Sequence, residues 1–366
     1  MAGEALCRKC ILSLTPYVPG KPVEEVKREL GLDDVVKLAS NENPLGPSPI
    51  ALAAMKAALE NVAQYPEGSC FELRKAVAKT LNVEPDMLIF GAGADEVIHY
   101  LGIALLCDGD EIVQADPSFV QYKAASTLMD CKAHMVPLRN WTHDLKAMLA
   151  CVNERTKLFF ITNPNNPTGT IVGADQVEAV LDALPDRCLL VLDEAYYEYV
   201  DDPAYTRSLE WIWQGRNVIA LRTFSKIYAL AGTRVGYGVA PKPIIELLER
   251  VRAPFNVNSV AQAGALASLS DPGQVTRTRA QNLRSKEYLY RELDRMGVPY
   301  TPTQANFLWI DLQHDCVEVF GKLLRLGVIV RTGDIFGCPT HIRVTTGTDE
   351  QNARFIEALK KTISDL

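Results

Sequence analysis

Six short, uninterrupted apolar runs recur between residues 87 and 240: "MLIF" (87 to 90), "EIVQA" (111 to 115), "KLFFIT" (157 to 162), "CLLVL" (188 to 192), "NVIALR" (217 to 222) and "VGYGVA" (235 to 240). A strand with one wet face alternates apolar and polar residues, whereas a strand covered on both faces is apolar throughout. These runs therefore specify a largely parallel sheet buried between two layers. Helical stretches with legible starts lie between and before them. Ser48 followed by Pro49 opens "ALAAMKAALENV" as an N-cap with proline at the first helical position, and Ser69 with Glu72 spells a capping box before "FELRKAVAKTL". Strands alternating with helices give a doubly wound α/β architecture.

Past residue 252 the pattern changes. Two long helices are expected at 258 to 270 and 276 to 296, the second with Ala280, Leu283, Tyr290 and Leu293 on one face and a stop at Gly297. "NFLWIDL", the helix "CVEVFGKLLRLG", the strands "VIVR" and "HIRVTT" and a last helix from Asp349 complete a smaller α+β domain. The length of 366 residues, 48% of them hydrophobic, accommodates two such cores.

Charge narrows the function. The net charge of −7, from 38 basic and 45 acidic residues mixed along the chain, leaves no basic stripe for nucleic acid. The first 20 residues hold too short an apolar stretch for a signal peptide, and no run of 18 apolar residues occurs, so a cytoplasmic location is expected. Nine scattered cysteines read as reduced thiols, and the CxxC of Cys7 and Cys10 lacks the second ligand pair of a zinc site or the strand-helix context of a redox motif. Histidines 99, 134, 143, 314 and 341 have no metal-ligand spacing.

In an open parallel sheet, ligands gather at the carboxyl ends of strands. After "MLIF" comes "GAGADEVI", two glycines and a helix start whose free N–H groups suit a phosphate, or simply a turn. After "KLFFIT" comes "NPNNPTG", a turn by composition, in which Asn166 offers a neutral donor for a phenolic oxygen or a carboxylate. Asp193 ends the apolar run "CLLVL", where a carboxylate must find a cation, either a structural Lys or Arg or a cationic heterocycle. Lys226 follows "NVIALR" in "TFSK", and desolvation among apolar residues makes a lysine amine a nucleophile toward carbonyls. Together these groups suit a phosphorylated pyridine aldehyde held as a Schiff base on Lys226, with Asp193 keeping the ring nitrogen protonated. Gly93, Ala94, Asp95, Thr223, Ser225 and Arg234 then supply phosphate donors, and Asn166 and Tyr196 bond the ring oxygen.

The motifs "KLASNENPLGPSP", "YPEGSCFELRKAVA", "GAGADEVI", "NPNNPTG", "DEAYYEY", "TFSKIYALAGTRVGYG" and "IRVTTGT" occur in the order in which they stand in the histidinol-phosphate aminotransferase family, so the chain resembles that branch of the fold-type I pyridoxal-phosphate aminotransferases of class II. The resemblance implies a seven-stranded, mostly parallel sheet in a large cofactor-binding domain (41–252), a small α+β domain (253–366) and an N-terminal arm (1–40) that joins the small domain. It implies Lys226 as the Schiff-base lysine, Asp193 as the partner of the pyridine nitrogen and Phe119 as the aromatic stacked on the ring. Tyr65 is implied to reach the phosphate of a neighbouring subunit, and hence a homodimer; Arg343 is implied to grip a substrate carboxylate. Tyr17 and Asn43 are candidates for the substrate side chain.

The reaction so implied is transamination between histidinol phosphate and 2-oxoglutarate in histidine synthesis. Two departures bear on specificity: Ile227 and Tyr228 stand where the family often has Ala and Phe, and "VRTGDIFGCPTHIR" lacks the proline-leucine that often follows its first arginine, Arg331. An aromatic or broad-range aminotransferase, a threonine-phosphate decarboxylase and a non-catalytic cofactor-binding module are the alternatives on the same scaffold.

Overall fold

The fold was obtained as a computed structural model, which describes residues 6–14, 16 and 20–364. A short strand, β1 (Val36–Lys37), precedes seven that form one sheet: β2 (Leu88–Gly91), β3 (Glu111–Asp116), β4 (Lys132–Pro137), β5 (Thr156–Thr162), β6 (Leu189–Asp193), β7 (Val218–Thr223) and β8 (Gly236–Val239). Their spatial order is β2-β8-β7-β6-β5-β3-β4, with β8 antiparallel to both neighbours and the other pairs parallel.

Alternation within the apolar runs shows why they are continuous. Phe159, Ile161, Leu190, Leu192, Val218 and Ala220 pack into one cluster, while Leu158, Phe160, Leu189, Val191, Ile219 and Leu221 pack into another on the opposite face. Each fully buried Leu, Ile or Phe contributes roughly 1.5–3 kcal/mol, so both faces reward apolar residues and the period of two disappears from the sequence. The seventh strand, β4, has no such run. It lies at the sheet edge, half-buried, with Lys132 and Pro137 exposed, as edge strands commonly are.

The second body holds β9 (Tyr300–Thr301), β10 (Phe307–Asp311), β12 (Arg331–Thr332) and β13 (His341–Thr345) in an antiparallel sheet of order β12-β13-β10-β9. Its core joins Leu289, Leu293, Leu308, Ile310, Leu323, Val344 and Phe355 to Val36 and Leu38. The strand β11 (Val328–Ile329) pairs in parallel with β1, which ties residues 36 to 38 to this body.

Three local expectations change. Glu67, not Ser69 with Glu72, caps the helix Phe71–Leu81: its carboxylate accepts from the Ser69 N–H and hydroxyl and from the Phe71 N–H at 2.6 Å, because Cys70 occupies the N-cap. The helix Ser259–Leu269 packs on Pro49–Ala58 and Phe71–Leu81 and places Ala261 and Ala265 in the core of the large sheet, so packing with the larger body runs past residue 252. The buried side of Pro272–Met296 is largely polar, with Ala280 and Leu283 exposed. Asn282 donates to Ala305 O, Ser285 to Gly347 O and Lys286 to Thr303 O, so the middle of this face satisfies loop carbonyls, while Leu289 and Leu293 further along it enter the core.

Candidate active site

A cavity of about 350 Å³ opens between the carboxyl ends of the central strands and the antiparallel sheet. Parallel pairing of β5, β6 and β7 sets Thr162 opposite Asp193 and Asp193 opposite Leu221, so the loops that carry Asn166, Asp193 and Thr223–Lys226 leave the sheet side by side. Ala94, Asp95, Phe119, Asn166, Asp193, Tyr196, Thr223, Ser225, Lys226, Arg234 and Arg343 all line the cavity.

At one end stands the N-terminus of the helix Ala94–Leu105. Gly93, its N-cap, has φ 85 and ψ 165 and offers no side-chain cap, so the first-turn N–H groups stay available to an anion. A Cβ on Gly93 would collide with the Arg234 guanidinium, and one on Gly236 would collide with Ala94 N; glycine is what lets these backbones close into a cradle. Arg234 pairs with the Asp95 carboxylate at 3.2 Å, which leaves Asp95 only its N–H to offer. Thr223 donates to Ser225 Oγ (2.9 Å) while Ser225 N–H donates to Thr223 Oγ1 (3.0 Å), and the Ser225 hydroxyl proton remains for a ligand.

At the centre, Asp193 accepts from the Tyr122 hydroxyl (2.6 Å) and from Ala195 N–H (3.1 Å). Burial pushes its carboxyl up to about 6, and no cation among the described residues pairs with it. A positively charged ring nitrogen fits that vacancy of charge. Lys226 Nζ donates to Ser40 O at 3.4 Å and lies 5.6 Å from the centre of the Tyr196 ring.

At the far end, Arg343 donates to Asn166 Oδ1 (2.5 Å) and to Ala39 O (2.7 Å), which leaves the Asn166 amide nitrogen as the donor into the cavity. Arg331 also lines the cavity, and it is the direct cross-strand partner of Arg343. The register thus sets two guanidinium groups on the same side of this sheet, both at the cavity.

Among the described residues, Asn43 and Tyr65 are expected at the site but do not line this cavity. Asn43 is buried outside it, with its amide donating to Ile227 O (2.8 Å) and Thr278 Oγ1 (3.1 Å) and accepting from Leu45 N–H (3.0 Å), so it braces the loop after Lys226. Tyr65 stands on the surface, 83% exposed and stacked on Phe255 with ring centres 4.8 Å apart. Tyr17 lies outside the described residues. Conversely, Tyr122, Thr162 and Asn41 belong to the site although sequence reasoning gave none of them a role, even with Thr162 ending "KLFFIT" and Asn41 inside "KLASNENPLGPSP". Their partners lie far along the chain: Tyr122 bonds Asp193 and Thr162, and Asn41 bonds Tyr196.

The match to known proteins follows this geometry. The family model of aminotransferase class I and II matches residues 33–359. This chain belongs to the class I and II aminotransferases. The histidinol-phosphate aminotransferase of Moorella thermoacetica is 53% identical to it over 98% of this chain and 93% of the relative. That of Caldicellulosiruptor saccharolyticus is 47% identical, over 97% and 99%. Among solved structures, the histidinol-phosphate aminotransferase from Sinorhizobium meliloti in complex with pyridoxal-5'-phosphate superimposes with a TM-score of 0.90 at 27% identity, covering 98% of this chain and 97% of that one. The aminotransferase has the fold-type I architecture expected from its motifs, and no described helix is long and apolar enough to cross a membrane.

Proposed function

We propose that this aminotransferase uses pyridoxal 5'-phosphate to exchange the amino group of histidinol phosphate with 2-oxoglutarate, a step of histidine biosynthesis. The names of its close relatives and the cavity support the same reading. The residues fit the cofactor: an uncapped helix start with Arg234 for its phosphate, a buried unpaired carboxylate for its ring nitrogen and the amine of Lys226 for its aldehyde. When bound, the cofactor supplies an electron-withdrawing ring and a carbon that carries the amino group between substrates.

The chain's own residues do the rest. Lys226 is the one lysine among the described residues lining the cavity, and its amine would take the proton from the substrate Cα and return it at the cofactor carbon bonded to the amino nitrogen, as general base and then acid. Asp193, kept dry and held by Tyr122 and Ala195, stabilises positive charge at the ring nitrogen. Asn166 and Tyr196 would hold the ring oxygen, and Phe119 would cover the ring.

The observation that carries the substrate reading is the Arg331–Arg343 pair facing the cavity from directly opposed positions. Two guanidinium forks suit a phosphate dianion, and the second substrate, a dicarboxylate, satisfies the same pair. Single-turnover rates with histidinol phosphate, glutamate and phenylalanine test this. Histidinol phosphate is expected to react fastest, and Arg331→Ala is expected to weaken it about tenfold or more while sparing phenylalanine. Phenylalanine outrunning histidinol phosphate overturns the assignment in favour of an aromatic aminotransferase.

The enzyme works in this reading as a homodimer in the cytoplasm. Tyr65, Phe255, Ile50, Leu52, Leu59 and Val62 are exposed apolar residues on and around the helix Pro49–Ala58, an area that suits a second copy, with Tyr65 reaching the partner's cofactor phosphate.

A further inference from the structure

Asn41 is buried at the cavity wall with its backbone in the left-handed region, φ 55, which asparagine tolerates better than most residues. Its peptide N–H donates to Thr345 Oγ1 at 2.9 Å. That hydroxyl has one proton to give, and Asn41 Oδ1, at 3.3 Å, is its one acceptor among the described residues. The carbonyl end of the Asn41 amide is thereby fixed on the Thr345 side, and Nδ2 is turned toward Tyr196, where it donates to the hydroxyl oxygen at 2.9 Å. Asn306 Nδ2 donates to Asn41 O (3.1 Å) and braces the segment further.

An amide nitrogen only donates, so the Tyr196 oxygen must accept here and its own proton must point elsewhere. No other described residue hydrogen-bonds that hydroxyl, and Tyr196 lines the cavity with Lys226 Nζ 5.6 Å from its ring centre. We propose that Asn41 is a positioning residue that fixes the direction of the Tyr196 hydroxyl proton, aiming it into the cavity at the ligand's oxygen. The inference rests on the reading above, in which Tyr196 donates to the ring oxygen of the cofactor. It assigns Thr345 a part as well: standing two residues beyond Arg343 on the same face of β13, it decides which way the amide turns.

Asn41→Asp replaces the donor with an acceptor and draws the Tyr196 proton back. The readout is the pH midpoint of the visible absorbance of the cofactor-loaded protein, together with the cofactor dissociation constant, for wild type, Asn41→Asp, Tyr196→Phe and the double variant. Losing a donor to an anionic ring oxygen is expected to raise the midpoint by about one pH unit in Tyr196→Phe and by a comparable amount in Asn41→Asp. If Asn41 acts through Tyr196, adding Asn41→Asp to Tyr196→Phe moves the midpoint little further. An equal shift in both backgrounds means the new carboxylate acts directly, and that overturns the proposal, as does no shift from Asn41→Asp beside a shifted Tyr196→Phe. A Tyr196→Phe enzyme that titrates like wild type overturns the reading of Tyr196 instead. Should Asn41→Asp not fold, Asn41→Gly, which keeps the left-handed backbone without strain, runs the same cycle with a smaller expected shift and the same refuting outcomes.

Discussion

Replacing Asp193 by Asn should stabilise the cofactor-free protein at neutral pH while crippling its hold on the cofactor. Burial raises the Asp193 carboxyl from its ordinary 3.8 to about 6, the hydrogen bonds from Tyr122 and Ala195 offsetting only part of the desolvation. A group whose folded-state value is raised contributes stability that is complete below about pH 4 and lost as pH rises through about 6. At ~1.4 kcal/mol per unit, the ionised side chain costs the empty fold about 3 kcal/mol at pH 7.5. Asparagine removes that cost but satisfies one fewer donor, a loss of about 1 kcal/mol, so the net gain is ~2 kcal/mol. Urea unfolding of the two cofactor-free proteins from pH 4.5 to 8 tests it. The variant's advantage should grow between pH 5 and 7, while its cofactor dissociation constant rises at least tenfold because the ring nitrogen has lost its counter-charge. Stability curves that run parallel across this range, or a variant less stable at pH 8, would refute the claim that Asp193 is an uncompensated buried charge.

Two further outcomes are expected. Borohydride reduction of the loaded wild type should leave the cofactor's mass on the peptide containing Lys226, and Lys226→Ala should show no such adduct there and lose half-reaction rate by ~10³-fold or more. Glu111 is buried among Asn153 (2.6 Å), His134 (2.6 Å) and Arg155 (2.5 Å), and these hydrogen bonds, Asn153's foremost, draw its carboxyl down to about 2. Its contribution is present above pH 4.5 and lost as pH falls through about 2, so Glu111→Gln should lower Tm by ~5 °C at pH 7 and the difference should close near pH 2.

The legibility of this protein follows from where each signal is stored. Strands β5, β6 and β7 announce themselves because double burial writes an apolar residue at every position, and strand ends then point to Asn166, Asp193 and Lys226. Strand β4 is silent because only Val136 of its six residues is buried, whereas β2 at the other edge is buried throughout and keeps its apolar run. The helix Pro272–Met296 misleads because its buried face serves backbone carbonyls, and the apolar residues Ala280 and Leu283 face outward. Asn43, beside the site in sequence, is held outside the cavity by one local hydrogen bond, from Leu45, and by two to residues 184 and 235 positions away, Ile227 and Thr278.

By itself the sequence determined the doubly wound sheet, the order of its strand-end loops and the chemical kit they carry, since those are set by local burial and by residue type. Only the tertiary structure decided which of those groups meet and in what state. Tyr122 reaches Asp193 across 71 positions of chain, Arg343 reaches Asn166 across 177, and Thr345 reaches Asn41 across 304. A hydrogen bond constrains distance and direction in space and leaves no periodic trace along the chain, so the partners that tune the site become visible only once the fold has brought them within 3.3 Å.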